Sequence, residues 1–281
     1  MTGRNIALTG VPRSGTTLCC NLLGQAPDTV ALFEPMDVAA LPQARGPALA
    51  QVEHFFVRAR ASLLAEGTAW SQQVDGAVPD NPFASETGAN GRRRHRAARG
   101  LIRLGKPLSA RFTLVVKHNA AFTALLPELA GRFETWAVVR NPLAVLASWH
   151  SVDLPVTRGR LPAGELLDPV LAAGLDAEGD VVSRQLRVLD WLFSRYLAHL
   201  PAARLLRYED VVATAGRTLS EATGVEVPRI ALDERNASAL YDLRLCEQLA
   251  GRLQADRGGA WRGCYGDSDV ERVLHRMRER T

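Results

Sequence analysis

Five short, β-prone runs dominated by apolar residues punctuate the chain: Asn5–Thr9, Val30–Phe33, Phe112–Lys117, Thr135–Arg140 and Arg204–Tyr208. Between them, apolar residues recur at intervals of three and four. This spacing predicts helices after Gly15 (through Leu18, Leu22 and Leu23) and around 48–66, 120–131, 142–151, 180–200, 210–223 and 236–250. Near-continuous apolar strands that alternate with helices imply a parallel sheet covered on both faces. Two segments break the rhythm: residues 67–110 are rich in Gly, Pro, Asn and Arg, and residues 153–179 in Pro, Gly and Leu. Loops of this length in an α/β domain are usually lids or binding loops. The chain therefore reads as one α/β domain over 1–281, a central parallel sheet flanked by helices, carrying two insertions.

Composition narrows the class. A length of 281 residues with 47% hydrophobic side chains suits one large domain, or two small ones at most. No stretch of 18 apolar residues occurs, and the opening Met1–Asn5 lacks the apolar core of a signal peptide. Cys19, Cys20, Cys246 and Cys264 lack metal-ligand spacing, so the expectation is a soluble, reduced, cytoplasmic protein with no metal and no membrane partner. A net charge of +4 is too mild for a nucleic-acid coat. Only Lys106 and Lys117 are lysines, which leaves 32 arginines among the 34 basic residues. Guanidinium is the better fork for tetrahedral anions, so the arginines that matter have to be found by position.

Position points first to Gly10-Val-Pro-Arg13-Ser14-Gly15-Thr16-Thr17, between a strand and a helix. Successive backbone N–H groups in such a turn wrap an anion, and the helix adds its positive end. Nucleoside triphosphatases place Lys directly after the second Gly and close a later strand with Asp for Mg²⁺. Here Thr16 follows that Gly, and the later strand ends Val138-Val139-Arg140. An Arg there repels a metal and attracts a second phosphate. The expectation is a P-loop-type site for a phosphorylated nucleotide without Mg²⁺.

Pro12-Arg13-Ser14-Gly15-Thr16-Thr17-Leu18 resembles the 5′-phosphosulfate loop of sulfotransferases that use 3′-phosphoadenosine 5′-phosphosulfate (PAPS). Val138-Val139-Arg140-Asn141-Pro142, with Ser148 eight residues after Arg140, resembles that family's 3′-phosphate segment. Leu206-Arg207-Tyr208-Glu209-Asp210 is similar to the segment whose Tyr approaches adenine, and Arg257-Gly258-Gly259 to a late Arg-Lys-Gly element that also meets the nucleotide. The matches span residues 6 to about 262 and are closest to bacterial and carbohydrate-type members. The resemblance implies PAPS as co-substrate, held by Arg13, Ser14, Gly15, Thr16, Thr17, Arg140, Ser148, Tyr208 and Arg257. It also implies a carbohydrate or small-molecule acceptor bound under the two insertions.

Sulfuryl transfer then needs a base for the acceptor hydroxyl and cations for the sulfuryl and phosphate oxygens. Arg13 and the N–H groups of 14–17 supply the phosphate side, and Lys117, at a strand end, the sulfuryl side. Two residues compete as base. Glu34, in Leu32-Phe33-Glu34-Pro35, is similar to a Phe-Glu-Pro segment of carbohydrate-type members. His118 follows Lys117 directly, one residue short of the Lys-Thr-His spacing of phenol-type members, and a one-residue shift at a strand end turns a side chain to the other face. Glu34 is favoured. Arg92-Arg93-Arg94-His95-Arg96 lacks interleaved aromatics and reads as a solvated loop or a gate for an anionic ligand, rather than as a nucleic-acid patch. Tyr196 and Trp191 follow helical periodicity and belong to the core, and His150 carries no role. The competing readings are a P-loop small-molecule kinase and a non-catalytic nucleotide-binding module.

Overall fold

A computed structural model describes residues 3–88 and 91–280 of the chain. Residues 1–2, 89–90 and 281, which include the start of the chain and two positions of the first insertion, lie outside the described residues.

Among the described residues nine strands form: β1 Asn5–Gly10, β2 Thr29–Phe33, β3 Thr68–Gln73, β4 Phe83–Thr87, β5 Arg93–His95, β6 Ala98–Arg103, β7 Thr113–Lys117, β8 Glu134–Val139 and β9 Leu205–Arg207. Five of them make one sheet in the order β2-β7-β1-β8-β9, and every pairing in it is parallel. All five carboxyl ends therefore emerge on one edge.

The apolar strand runs explain the layering. Successive side chains point to opposite faces. Ala7, Leu32, Leu114 and Val116 meet the helix Arg45–Glu66 and the helical turns at 120–129 on one side. Ile6, Leu8, Val115 and Val138 meet the helix Thr16–Gln25 (α1) and Leu219 on the other. A third cluster gathers Trp149, Phe193, Tyr196, Leu249 and Trp261 beyond β8. Trp191 is partly buried against it. This is the central parallel sheet flanked by helices that the sequence pattern predicts.

The two insertions differ from the expected loops. The first folds as two nested antiparallel pairs, β3 with β6 and β4 with β5. The outer pair is amphipathic: Ala69 faces Ile102 on the buried side, while Trp70 and Leu101 face each other on the exposed side. The second insertion holds short helical segments at Pro155–Arg158, Pro162–Leu167 and Pro169–Asp176. A proline opens each of them, where its missing N–H costs nothing. The helix expected over 236–250 begins only at Leu243, where the Asp242 side chain caps it by accepting from Leu245 N–H. Among the described residues, no helix is long and apolar enough to cross a membrane.

Candidate active site

The carboxyl edge of the sheet opens into a cavity of about 700 Å³, and the chain's local chemistry shapes its floor. Gly10 ends β1 at φ 154°, and a Cβ there would lie 2.4 Å from the Val138 carbonyl oxygen. Gly15 sits at φ 93°, where a Cβ would lie 2.6 Å from Tyr208 Cδ2. Only glycine satisfies both positions. Between them Arg13 holds a left-handed φ of 72°. The Ser14 N–H donates to Val11 O at 2.9 Å and the Ser14 hydroxyl to Val138 O at 2.7 Å. Ser14, expected among the ligands, thus fastens the loop to β8, and its side chain lies outside the cavity lining. Among the described residues no side chain caps α1. The N–H groups of its first turn have no intrahelical acceptor, and Gly15, Thr16 and Thr17 line the cavity.

Arg140 stands at the tip of β8 and is 5% exposed. Its Nε donates to Asn236 Oδ1 at 2.7 Å, one terminal nitrogen to Arg13 O at 2.9 Å, and the other to Arg235 O. The guanidinium lies over the Tyr208 ring, 4.7 Å from its centroid. Three of its five N–H groups are committed to the protein, and the side chain lines the cavity with the rest. The Asn141-Pro142 pair that follows is a helix start. Asn141 Oδ1 accepts from Leu143 N–H and Ala144 N–H, with Pro142 in the first turn of the helix Pro142–His150. Glu209 binds these pieces together: Oε1 accepts from Asn141 N–H (3.0 Å) and Asn236 Nδ2 (2.8 Å), and Oε2 accepts from the Tyr265 hydroxyl (2.8 Å).

One turn into that helix and beyond, Ser148 Oγ accepts from Arg13 Nε at 3.2 Å. The Arg13 guanidinium lies 4.4 Å from the centroid of the Phe83 ring. Burial, together with the charges of Arg93, Arg140 and Arg235, pulls the Arg13 pKa down to about 9. Arg93 is lowered as well, by burial and by Arg235 and Arg140. All four arginines line the cavity. Among the described residues none of them meets a carboxylate at ion-pair distance, whereas arginines elsewhere in the chain repeatedly do, for example Arg195 with Asp168 and Arg276 with Glu234.

On the other side of the loop, the register places Phe33 beside Lys117. Lys117 is 2% exposed, its Nζ lies 4.5 Å from the Phe33 centroid, and it donates to Glu34 Oε1 at 2.6 Å. Glu34 extends the ladder by one bond, from its N–H to Lys117 O at 2.8 Å, and holds φ 41°. Its side chain keeps 38% of its surface open to the cavity. Burial raises its pKa, but Lys117 and His118 outweigh burial and leave the carboxyl below its usual range. His118 is buried, and its Nε2 accepts from Met36 N–H at 3.2 Å. Burial drives its pKa down to about 4.

Arg13, Gly15, Thr16, Thr17, Glu34, Lys117, His118, Arg140, Ser148 and Tyr208 thus meet around one cavity. Arg257 does not: it is 79% exposed, outside the cavity lining, and pairs with Asp267. Its segment leads into the short turn Ala260–Gly263, which packs on the far helices. The late arginine that does arrive is Arg235, which falls in the stretch expected to be coil just before a helix. No signal in the sequence marks it: Asn236 beside it is buried, with its Oδ1 accepting from Arg140 Nε, only once the chain has folded. His150 hydrogen-bonds Gln185 at 3.0 Å, away from the cavity.

No family model matches the chain, and no curated protein matches it. Three solved structures align along nearly its whole length. A sulfotransferase from Alicyclobacillus acidocaldarius is 12% identical with a TM-score of 0.44, covering 98% of this chain and 97% of that one. The sulfotransferase domain from the curacin biosynthetic pathway is 15% identical with a TM-score of 0.42, covering 99% and 98%. The sulfotransferase STF1 from Mycobacterium tuberculosis H37Rv is 14% identical with a TM-score of 0.36, covering 99% and 77%. At such distances the chemistry has to be read from the cavity itself.

Proposed function

We propose that this protein is a sulfotransferase that moves a sulfuryl group from PAPS to a hydroxyl of a sugar or small natural product, releasing adenosine 3′,5′-bisphosphate. One observation carries the reading: among the described residues, four guanidinium groups without carboxylate partners converge beside an uncapped P-loop helix. Like charges are costly to gather in one cavity, and a multiply charged anion offsets that cost. The residues fit a donor with two phosphate groups: the P-loop N–H groups with Arg13 would take one, and Arg140 with Ser148 the other.

Arg13 and the N–H groups from Gly15 onward hold the 5′-phosphate as it gains charge; a single preorganised donor of that kind is worth roughly 3–4 kcal/mol. Arg140 and Ser148 hold the 3′-phosphate, and Tyr208 bounds the nucleotide. The acceptor oxygen forms its bond to sulfur as the bond from sulfur to the phosphate oxygen breaks, and the hydroxyl proton passes to the Glu34 carboxylate. Lys117 transfers its hydrogen bond from Glu34 to the sulfuryl oxygens. This shift frees the carboxylate to act as base at the moment it is needed. His118, which uses Nε2 to accept from Met36, positions the Glu34–Met36 turn. The segments 67–110 and 153–179 act as the acceptor lid, a reading supported by Phe83 and His95 from the first and Val156 and Leu161 from the second in the cavity lining.

The test follows adenosine 3′,5′-bisphosphate release from PAPS against a panel of hydroxylated acceptors. Glu34→Gln should lower kcat at least a hundredfold with nucleotide affinity unchanged, in line with the roughly 10²–10⁴-fold worth of a general base. Turnover of ATP with Mg²⁺ but not of PAPS would overturn the reading.

A further inference from the structure

The arginine run 92–96, expected as a solvated loop or a gate, contributes one side chain to the anion wall, and its attachment is specific. β5 is held against the end of the helix Pro142–His150: Arg93 N–H donates to Ser151 O at 3.0 Å and Asp153 N–H donates to Arg93 O at 3.2 Å. The Arg93 guanidinium reaches Ser151 Oγ at 3.4 Å through a terminal nitrogen. Ser151 lies one turn beyond Ser148, its hydroxyl donating to Ser148 O at 2.9 Å. From the same hairpin, Phe83 covers the guanidinium of Arg13.

Arg93 Nε is buried and, among the described residues, has no hydrogen-bond partner. A buried donor left unpaired costs free energy that an occupant of the cavity recovers. The chain has 30 acidic residues and solves the same problem elsewhere by pairing. At Arg93 the charges of Arg235 and Arg140 add to burial in lowering its pKa.

We propose that Arg93 is an anion-binding residue. It is delivered by the β4–β5 hairpin, and it reads the phosphate held by the Ser148–Arg140 wall rather than the phosphate held by Arg13 and the P-loop. The assignment to that wall follows from its anchorage on Ser151, on the helix that carries Ser148. The ligand it takes is a phosphate monoester dianion, whose oxygens accept from Nε and from a terminal N–H in the forked geometry that guanidinium favours. The hairpin is then part of the donor site as well as of the acceptor lid. The inference rests on the bisphosphate-donor reading above.

Titration calorimetry with adenosine 3′,5′-bisphosphate and adenosine 5′-monophosphate on the full chain separates the two claims. Wild type should prefer the bisphosphate. Arg93→Met should weaken bisphosphate binding by roughly ten- to a hundredfold, the worth of a hydrogen bond to a charged group, and leave the monophosphate unchanged. Arg93→Lys, which keeps the charge and loses the fork, should fall between them, and Arg94→Gln, at a neighbouring exposed position, should match wild type. The thermal midpoint of ligand-free Arg93→Met should not drop, because the variant removes a crowded charge. A wild type without preference for the bisphosphate overturns the donor reading and this inference with it. A wild type with that preference, retained in Arg93→Met or lost equally for both nucleotides, overturns the inference alone.

Discussion

Two of the residues placed around the reacting centre, Arg13 and Glu34, hold left-handed backbone angles that side chains with a Cβ rarely adopt. Such strain persists only where neighbours fix it, and it concentrates at working sites. Arg13 is fixed by the glycine turns around it, by Phe83 and by Ser148; Glu34 by the ladder bond to Lys117 and by the ion pair. His118 turns burial into a pH dependence. Its pKa falls from 6.5 to about 4 on folding, so between those values the unfolded chain binds a proton that the folded chain does not. Stability from this group is intact above pH 6.5 and is lost as pH falls toward 4. The loss amounts to on the order of 3 kcal/mol once both limits are passed. Glu34, held below its usual range, adds a further loss at lower pH, beneath the ordinary carboxyl value of 4.5. Denaturant titrations at pH 7.5, 6 and 5 should show the decline, and His118→Asn should flatten it; an unchanged slope in the variant would refute the assignment to His118.

At the scale of elements, the P-loop packs against Tyr208, the first residue of the helix Tyr208–Ala213 that follows β9, through Gly15. Gly15→Ala places a Cβ at 2.6 Å from the Tyr208 ring and keeps φ at 93°. The variant should lose roughly 2 kcal/mol or more and bind nucleotide poorly. Gly67→Ala has a similar φ of 66° with nothing within 4 Å. It should cost less and leave binding intact; equal effects on binding would deny the loop its special role. The strand tips were legible because each buried strand writes a compact apolar run that stops at the polar residue on the sheet edge, as at Lys117 and Arg140. The hairpins were not. β5 is Arg93-Arg94-His95, and nothing in such a triplet signals pairing before the chain folds back. The helix Asp267–Arg278 escaped for a related reason, since its buried Val270, Val273 and Met277 are spaced among charges. Arg235 and Arg93 join the site only through tertiary contacts, so the late arginine named from the sequence was Arg257, on the resemblance of Arg257-Gly258-Gly259 alone.

Across the whole molecule, a doubly covered parallel sheet sends five carboxyl ends to one edge, and ligands in such folds bind outside those ends. The net charge of +4 gives little sign of what gathers there, because it sums over the whole chain while acidic and basic residues pair repeatedly elsewhere in it. Four arginines that, among the described residues, pair with no carboxylate gather in one cavity, and the proposed function rests on their repulsion being relieved by a doubly phosphorylated nucleotide. The most direct measurement is titration of the full chain with adenosine 3′,5′-bisphosphate in the absence of added metal. The account predicts saturable binding at one site, with affinity on the order of micromolar, abolished in Arg13→Ala and in Arg140→Ala and weakened by salt. Absence of binding by the wild-type protein, or binding that survives both substitutions, would contradict it.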